Sequence, residues 1–352
     1  MDTPLDFYNF TRPELERWFE ERGHPRYRAR QLFLNVYQRG LLDFEAMTDL
    51  PKALRAELAA ALDIRGPAPA DRLESPEDGA VKFLWTLADG QQIESVLMQA
   101  GYGETICFST QVGCAFRCSF CITGRMGRIR NLTAGEIVAQ IQHLKRLRRE
   151  PNLGVNLVAM GMGEPMDNLE ELLKAIGILQ DELGMNVSGR RITVSTVGVT
   201  PGIRRLAEAA PSVGLALSLN ATTDEVRETL MPVTRKYSIE SVLGAVEDYA
   251  ALTSRRVTLE YVLIRGLNDT DADAERLGKI AERFPSKVNV IPFNPSELFP
   301  YQRPEPEAVD AFARRLWPYR TTVTVRYSKG LDILAACGQL GYAQVKAAGA
   351  GG

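Results

Sequence analysis

The chain has 352 residues, of which 45% are hydrophobic and 24% charged, the make-up of an ordinary globular protein rather than a disordered or collagen-like one. At about 150 residues per domain it is long enough for two domains, or for one large α/β domain with an appendage. A formal net charge of −2 gives the whole chain no electrostatic reason to bind nucleic acid or membrane, so any polyanion site must be regional.

Residues 1–66 read as a small helical domain. Thr11, Pro13 and Glu14 give a capped helix start, followed by Leu15, Trp18 and Phe19 at helical spacing. A second helix is predicted from Tyr27 to Tyr37, and a third capped by Asp49, with Pro51 in its first turn, through Ala60. Gly66-Pro67-Ala68-Pro69 then breaks the pattern, and residues 67–93 read as a β-rich connecting segment. From 94 to 342, short β-rich runs alternate with amphipathic helices: Thr105–Thr110, Val155–Met160, Arg191–Ser195, Val213–Leu219, Val257–Ile264 and Val288–Phe293, with a later strand at Thr321–Tyr327. Strands separated by helices imply βα units and a parallel sheet. Six such units, with polar residues gathered after the strand ends (Gly161–Glu164, Ser195-Thr196, Asn220, Asn294-Pro295), favour an α/β fold in the form of a partial (β/α)6 barrel, whose site lies at the C-terminal ends of the strands. Residues 343–352 are expected to be a flexible tail.

Only two histidines are present, His24 and His143, which excludes a multi-histidine metal site. No apolar run approaches the ~20 residues of a membrane span, and the acidic start lacks the basic-then-apolar pattern of a secretory signal. The expectation is a cytoplasmic protein without a membrane partner. In a reducing compartment the five cysteines point to metal or redox chemistry rather than a disulfide framework. Cys114, Cys118 and Cys121 fall within eight residues, directly after a predicted strand and before a helix with a Thr133–Glu136 capping box. The segment between has no regular period and reads as a loop. Three thiolates on such a loop can hold an iron–sulfur cluster with one iron left open. The other reading is a zinc knot completed by Cys107, although Cys107 sits inside a predicted strand.

The Cys114-x-x-x-Cys118-x-x-Cys121 order, with Phe120 before the last cysteine, resembles the signature of radical S-adenosylmethionine (SAM) enzymes, which sit on a partial α/β barrel. More narrowly, the runs Cys107–Cys114, Gly161-Met162-Gly163-Glu164-Pro165, Ser195-Thr196-Val197-Gly198 and Ala335-Ala336-Cys337-Gly338-Gln339-Leu340, together with Met47–Arg55 in the helical part, resemble the RlmN/Cfr family and within it the adenine-C2 RNA methyltransferases. The resemblance implies a 4Fe–4S cluster on Cys114, Cys118 and Cys121. It also implies SAM contacts at Gly163, Glu164, Ser195, Ser218, Leu219, Asn220 and Asn294. The implied partners are 23S rRNA, tRNA and an electron donor that the sequence does not identify.

Carbon 2 of adenine is electron-poor and has no lone pair, so it cannot attack a sulfonium methyl. The resemblance implies a detour in which the methyl first moves to the Cys337 thiolate, a competent nucleophile. A radical made from a second SAM then takes hydrogen from that methyl, and the methylene adds to the ring. Glu94 matches the proton acceptor, and Cys107 matches the cysteine that resolves the protein–RNA adduct through a transient disulfide with Cys337. Each residue also has a plainer reading. Cys337 among alanines reads as a small core residue, Glu94 in an alternating strand as a solvated side chain, and Gly161 and Gly163 as tight-turn residues. The remaining implied contacts read as capping or turn residues. Asn220 stands where the resemblance leads one to expect histidine, and asparagine still donates and accepts.

Between Cys114 and Arg149 eight basic residues face one acidic residue, Glu136. That asymmetry predicts a positive face near the cysteine loop, although Lys145–Arg149 would also offset the dipole of the helix they end. Arg26, Tyr27, Arg28 and Arg30 make the N-terminal part a candidate RNA-docking module. Two alternatives stay open on the sequence: a related adenine-C8 methyltransferase, from which Pro165 leans away, and a non-catalytic, zinc-stabilised RNA-binding protein.

Overall fold

The structure is a computed structural model that describes residues 4–100, 103–149 and 154–349. The N-terminal part begins with β1 (Leu5–Asp6) and continues through α1 (Arg12–Glu20), α2 (Tyr27–Tyr37) and α3 (Lys52–Ala61) to β2 (Leu62–Asp63), which pairs in parallel with β1. At α1 the Thr11 side chain accepts from the Glu14 amide while Glu14 accepts from the Thr11 amide, closing the expected capping box. Asp49 is not the cap of α3. It accepts from Asn35 Nδ2 at 2.8 Å and from Arg39, and Pro51 holds the N-cap position without a side-chain bond. Asn35 on α2 and Arg39 just beyond it hold that carboxylate away from the helix end.

Three antiparallel strands follow, β3 (Pro69–Glu74), β4 (Val81–Thr86) and β5 (Gln92–Ala100), and then β6 (Gly103–Cys107). After β6 comes a short hairpin of β7 (Gln111–Gly113) and β8 (Arg128–Asn131), with α4 (Ile122–Met126) between its strands. The repeating units are α5 (Ala134–Arg146), β9 (Val155–Ala159), α6 (Leu169–Gln180), β10 (Ile192–Thr196), α7 (Thr200–Ala209), β11 (Gly214–Ser218), α8 (Asp224–Leu230) and α9 (Ile239–Thr253). They continue with β12 (Val257–Leu263), α10 (Asp271–Ala281), β13 (Ser286–Pro292), α11 (Pro306–Arg315), β14 (Thr322–Val325) and α12 (Tyr342–Gly349).

The main sheet has ten strands in the order β14-β13-β12-β11-β10-β9-β6-β5-β4-β3, parallel from β6 to β14 and antiparallel from β6 to β3. The parallel strands follow chain order without a switch point, which is the order of a barrel wall rather than of a doubly wound sheet. β14 and β3 are the two edges, so the barrel is partial. On β12, Val257, Leu259, Tyr261 and Leu263 make one buried apolar face while Thr258 and Glu260 on the other face are buried too, so the strand is covered on both sides. The N-terminal helices are joined to this body through α5, where Gln142 Nε2 donates to the Val36 carbonyl at 3.0 Å and the Gly135 amide donates to Asn9 at 3.1 Å.

Three expectations change. The segment 67–93 is not a connector: β3, β4 and β5 extend the main sheet, and residue 94 lies inside β5, because the ladder from β6 runs on through all three. The stretch from β6 to α5 is not wholly loop, since β7, α4 and β8 lie in it, while residues 114–121, which carry the three cysteines, are loop as expected. Of the expected tail 343–352, residues 343–349 belong to the helix Tyr342–Gly349 and 350–352 lie outside the described residues. Tyr342 and Val345 pack on the apolar cluster around Ile122 and Phe293, and Lys346 pairs with Glu297 at 2.5 Å. The alanine-rich composition that reads as flexible also has high helix propensity once one face has something to pack against.

Candidate active site

The three cysteines sit where the β7–β8 hairpin opens. The Cys114 amide donates to the Gly127 carbonyl at 3.0 Å, the Ser119 amide to Leu230 at 2.8 Å, and the Cys121 amide to Cys118 at 3.1 Å. Arg117 adopts φ of +52° to let the chain wrap back. Cys114 and Cys118 are buried and Cys121 is partly so. Burial pushes the Cys114 thiol up to about 12 and the Cys118 thiol well above its usual value, and the neighbouring sulfurs add to both shifts. A metal bound by such thiols takes them as thiolates and displaces their protons. Among the described residues no group of three or more Cys, His, Asp or Glu side chains converges on a single ion. Cys107 ends β6 and lines a different cavity from Cys118 and Cys121, so it is not gathered with them as a fourth zinc ligand would be.

A cavity opens from this loop over the C-terminal ends of the strands. Its walls include Cys118, Cys121, Gly163, Glu164, Ser195, Ser218, Asn220, Asn294 and Cys337. Gly163 has φ of +109°, and a Cβ there would lie 2.7 Å from the Gln111 Cβ. Gly161 would place its Cβ 2.6 Å from the Phe108 carbonyl, so both glycines let two strand-end turns pack backbone to backbone. Glu164 is 2% exposed, accepts from the Val197 amide at 2.9 Å and the Met166 amide at 3.1 Å, and is raised by burial to about 7. A buried carboxylate of that kind suits an ammonium group. Ser195 and Ser218 face each other at 3.4 Å between their hydroxyl oxygens.

Two implied contacts are placed differently. Leu219 is fully buried and does not line the cavity; its carbonyl accepts from Arg227 Nε at 3.0 Å. Asn220 does line it, but its amide is engaged by the Val262 amide at 2.9 Å and by Met231 Sδ at 3.3 Å. Asn294 donates to the Cys337 carbonyl at 3.1 Å and so ties the cavity to the cysteine loop.

Cys337 lines this cavity and also a second one, whose walls include Cys107, Val96, Met98, Met160 and Arg326. All five cysteines are free. Burial pushes the Cys107 thiol up to about 12, with the nearby Cys337 adding to the shift. Glu94 lines neither cavity. It is 2% exposed, its carboxylate accepting from the Gly341 amide at 2.8 Å and standing 3.4 Å from Lys82 Nζ.

Sequence reasoning missed three charged residues here. Arg326 is common to both cavity walls, and its strongest charge interaction is with Cys337. Glu260, 6% exposed, lines the first cavity, accepts from Asn289 at 3.0 Å and has no hydrogen-bond partner for Oε2 among the described residues. Arg227 is fully buried and bridges Leu219, Thr234 and Val197. A glutamate in the middle of the apolar run Val257–Leu263 was the one available signal.

The predicted positive face is smaller than its charge count. Arg148 pairs with Glu104 in the interior at 2.9 Å, Lys145 donates to the Met185 carbonyl, Arg149 pairs with Glu74, and Arg130 pairs with both Asp89 and Glu136. Arg128 pairs with Asp167. Arg117 and Arg125 remain exposed on the cysteine segment, Arg125 stacked over Phe299 at 4.8 Å. On the N-terminal part Arg26 pairs with Glu20 and Arg30 with Glu16, while Arg28 lies 4.7 Å over the exposed Tyr27 ring. Among the described residues no helix is long and apolar enough to cross a membrane.

A partial barrel with three loop cysteines at the strands' C-terminal ends defines a radical SAM enzyme. A family profile of the Radical SAM superfamily matches residues 108–277, and one of the Ribosomal RNA large subunit methyltransferase N-terminal domain matches residues 5–64. The chain is 44% identical over 340 residues to the dual-specificity RNA methyltransferase RlmN of Pelobacter propionicus, covering 97% of this chain and 96% of that protein. It is 45% identical over 341 residues to RlmN of Geobacter sulfurreducens, covering 97% and 93%. The crystal structure of a radical SAM methyltransferase from Sphaerobacter thermophilus superposes with a TM-score of 0.92 at 46% identity, over 96% of this chain and 99% of that one. The chain belongs to the RlmN family of radical SAM RNA methyltransferases. Its cofactors are a 4Fe–4S cluster and SAM, and the non-catalytic alternative falls away.

Proposed function

We propose that this enzyme methylates carbon 2 of adenine in 23S rRNA and in tRNA, with Cys337 as the methyl carrier. The observation that carries the reading is that Cys337 stands in the common wall of two cavities, one shared with Cys118, Cys121 and Glu164 and the other with Cys107. One side chain can therefore meet a methyl donor on one side and a resolving thiol on the other.

Cys114, Cys118 and Cys121 would hold the cluster, and Glu164 would receive the SAM ammonium, with Ser195, Ser218 and Asn294 around the rest. When bound, cluster and SAM would supply the one-electron chemistry: removal of a hydrogen atom from the Cys337-bound methyl, so that its carbon can bond carbon 2, and take-up of the odd electron left on the ring. The Cys337 sulfur accepts a methyl as a nucleophile. Glu94 takes the proton that carbon 2 gives up. The Cys107 thiolate then attacks the Cys337 sulfur, forming the S–S bond as the S–CH2 bond breaks, and the methylene carbon keeps the electron pair and takes up a proton to become the product methyl. An electron donor reduces the Cys107–Cys337 disulfide for the next turnover. The exposed Arg117 and Arg125, and the Tyr27–Arg28 pair on the N-terminal part, offer phosphate and stacking contacts for the RNA. Such an enzyme works in the cytoplasm, where both RNAs are found.

Nucleoside analysis of RNA incubated with the reduced enzyme and methyl-labelled SAM tests this directly. 2-Methyladenosine in both RNAs is the expected product. 8-Methyladenosine would assign the chain the related carbon-8 reaction, and label in neither position would reject the substrate class.

A further inference from the structure

The loop that presents Cys337 is held at both shoulders by one buried ion pair. Lys82 Nζ donates to the Leu334 carbonyl at 3.2 Å and lies 3.4 Å from Glu94 Oε1, while Glu94 Oε2 accepts from the Gly341 amide at 2.8 Å. Between those anchors the backbone reaches positive φ at Leu334 (+54°), Gly338 (+81°) and Gly341 (+90°), so the segment is a strained turn that its surroundings must hold in place. Both side chains are less than a tenth exposed. Among the described residues Lys82 is the one charged group within ion-pairing distance of Glu94.

Strand register puts this pair beside the chemistry. Lys82 pairs with Val96 and Val96 pairs with Cys107, so the three residues form one row across β4, β5 and β6, about 10 Å from end to end at the usual strand spacing. Val96 and Cys107 line the cavity shared with Cys337, and Glu94 is the next residue of β5 on the same face as Val96. A buried ion pair by itself is weak evidence for stability, because an apolar pair of similar shape does as well. A cation that contacts both the carboxylate and the cysteine loop needs a further reason.

We infer that Lys82 is a positioning residue for the reaction proposed above: it ties Glu94 to the Cys337 loop, so that the base and the cysteine joined to RNA keep one geometry. The inference rests on that reading of Glu94 and Cys337. Without that bridge Glu94 is tied to the loop only through Gly341 among the described residues, and a base a fraction of an ångström out of place loses much of its rate. The base then fails in the step that removes the ring proton, whereas methylation of Cys337 uses no such base.

K82Q separates charge from anchoring, since glutamine still offers a donor to the Leu334 carbonyl, and K82R restores the cation. Holoenzyme of each variant is given SAM and an RNA substrate. Methylated Cys337 is measured by mass spectrometry, the covalent protein–RNA adduct on denaturing gels, and protection of residues 334–341 by hydrogen exchange. K82Q should methylate Cys337 normally and keep wild-type loop protection, yet hold the adduct about tenfold longer or more because Glu94 is no longer held in place, with K82R close to wild type. An unchanged adduct lifetime in K82Q, or one lengthened equally in K82R, overturns the inference. Loss of Cys337 methylation together with loop protection in K82Q also overturns it, by giving Lys82 a purely structural part. A wild-type enzyme that shows neither methylated Cys337 nor adduct sinks instead the reaction proposed above.

Discussion

Glu94 and Gly341 lie 247 residues apart in sequence and are joined by a 2.8 Å hydrogen bond from the Gly341 amide to the Glu94 carboxylate. The bond separates the job this side chain has in the structure, holding the Cys337 loop, from the one proposed for it, accepting a proton. Glu94→Gln keeps an acceptor for Gly341 and removes the base. The expected result is normal methylation of Cys337 and a fall of about 10²-fold or more in methylated RNA, measured as label on the Cys337 peptide against label in RNA. Glu94→Ala should lose loop protection as well.

The placement of Cys107 beside Cys337 in one cavity predicts opposite failures for the two thiols. Cys337→Ala should abolish RNA methylation and leave no covalent protein–RNA species, with the absorbance of the cluster retained. Cys107→Ala should accept the methyl, attack the RNA and stall as a covalent adduct visible on a denaturing gel. If both variants gave the same RNA-free, unmethylated protein, the assignment of different roles would be wrong.

Much of the frame was legible from sequence because local chemistry set it. The helix at Tyr27–Tyr37 and the capping boxes at Thr11 and Thr133 stand as expected, since period and cap are local signals. The site was less legible wherever burial inverted a residue's usual meaning. Glu94 reads as a solvated strand residue, yet it is sealed under the C-terminal loop by Lys82 and Gly341. Lys145–Arg149 read as a positive face, yet Arg148 turns inward to Glu104. Arg326 gave no signal, because only the sheet brings the end of β14 beside Cys107. These are long-range pairings, and no window along the chain contains both partners.

Gly163 offers a test of packing at the strand ends. With φ of +109° and the Gln111 side chain 2.7 Å from any added Cβ, Gly163→Ala should destabilise the fold by about 1–3 kcal/mol. Chemical denaturation of the two proteins measures it, and a midpoint within error of wild type would show that the turn can relax. Gly177→Ala, where an added Cβ meets nothing, is the control and should be neutral or slightly stabilising.

Asp6, largely buried where the N-terminal part meets α5, is raised from 3.8 to about 6, chiefly by burial, with Asp63 and Glu136 adding to the rise. The folded state holds this proton more tightly than the unfolded chain, so the carboxyl favours folding below about pH 4 and that contribution is lost as pH rises through 6. Asp6→Asn keeps the cap on the Tyr8 amide and removes the charge. It should leave stability near wild type at pH 4 and add about 1–2 kcal/mol above pH 6, allowing for partial solvent screening. Denaturant curves at the two pH values check both the size and the sign, and a gain confined to low pH would contradict the assignment.

The central claim is that Cys337 carries the methyl between its two cavities. Anaerobically purified, reduced enzyme incubated with methyl-labelled SAM, before and after addition of RNA, is digested and the Cys337 peptide weighed by tandem mass spectrometry. The account predicts label on the Cys337 sulfur before RNA is added and its transfer to carbon 2 of adenine afterwards. A Cys337 that stays unlabelled while labelled RNA accumulates would contradict it.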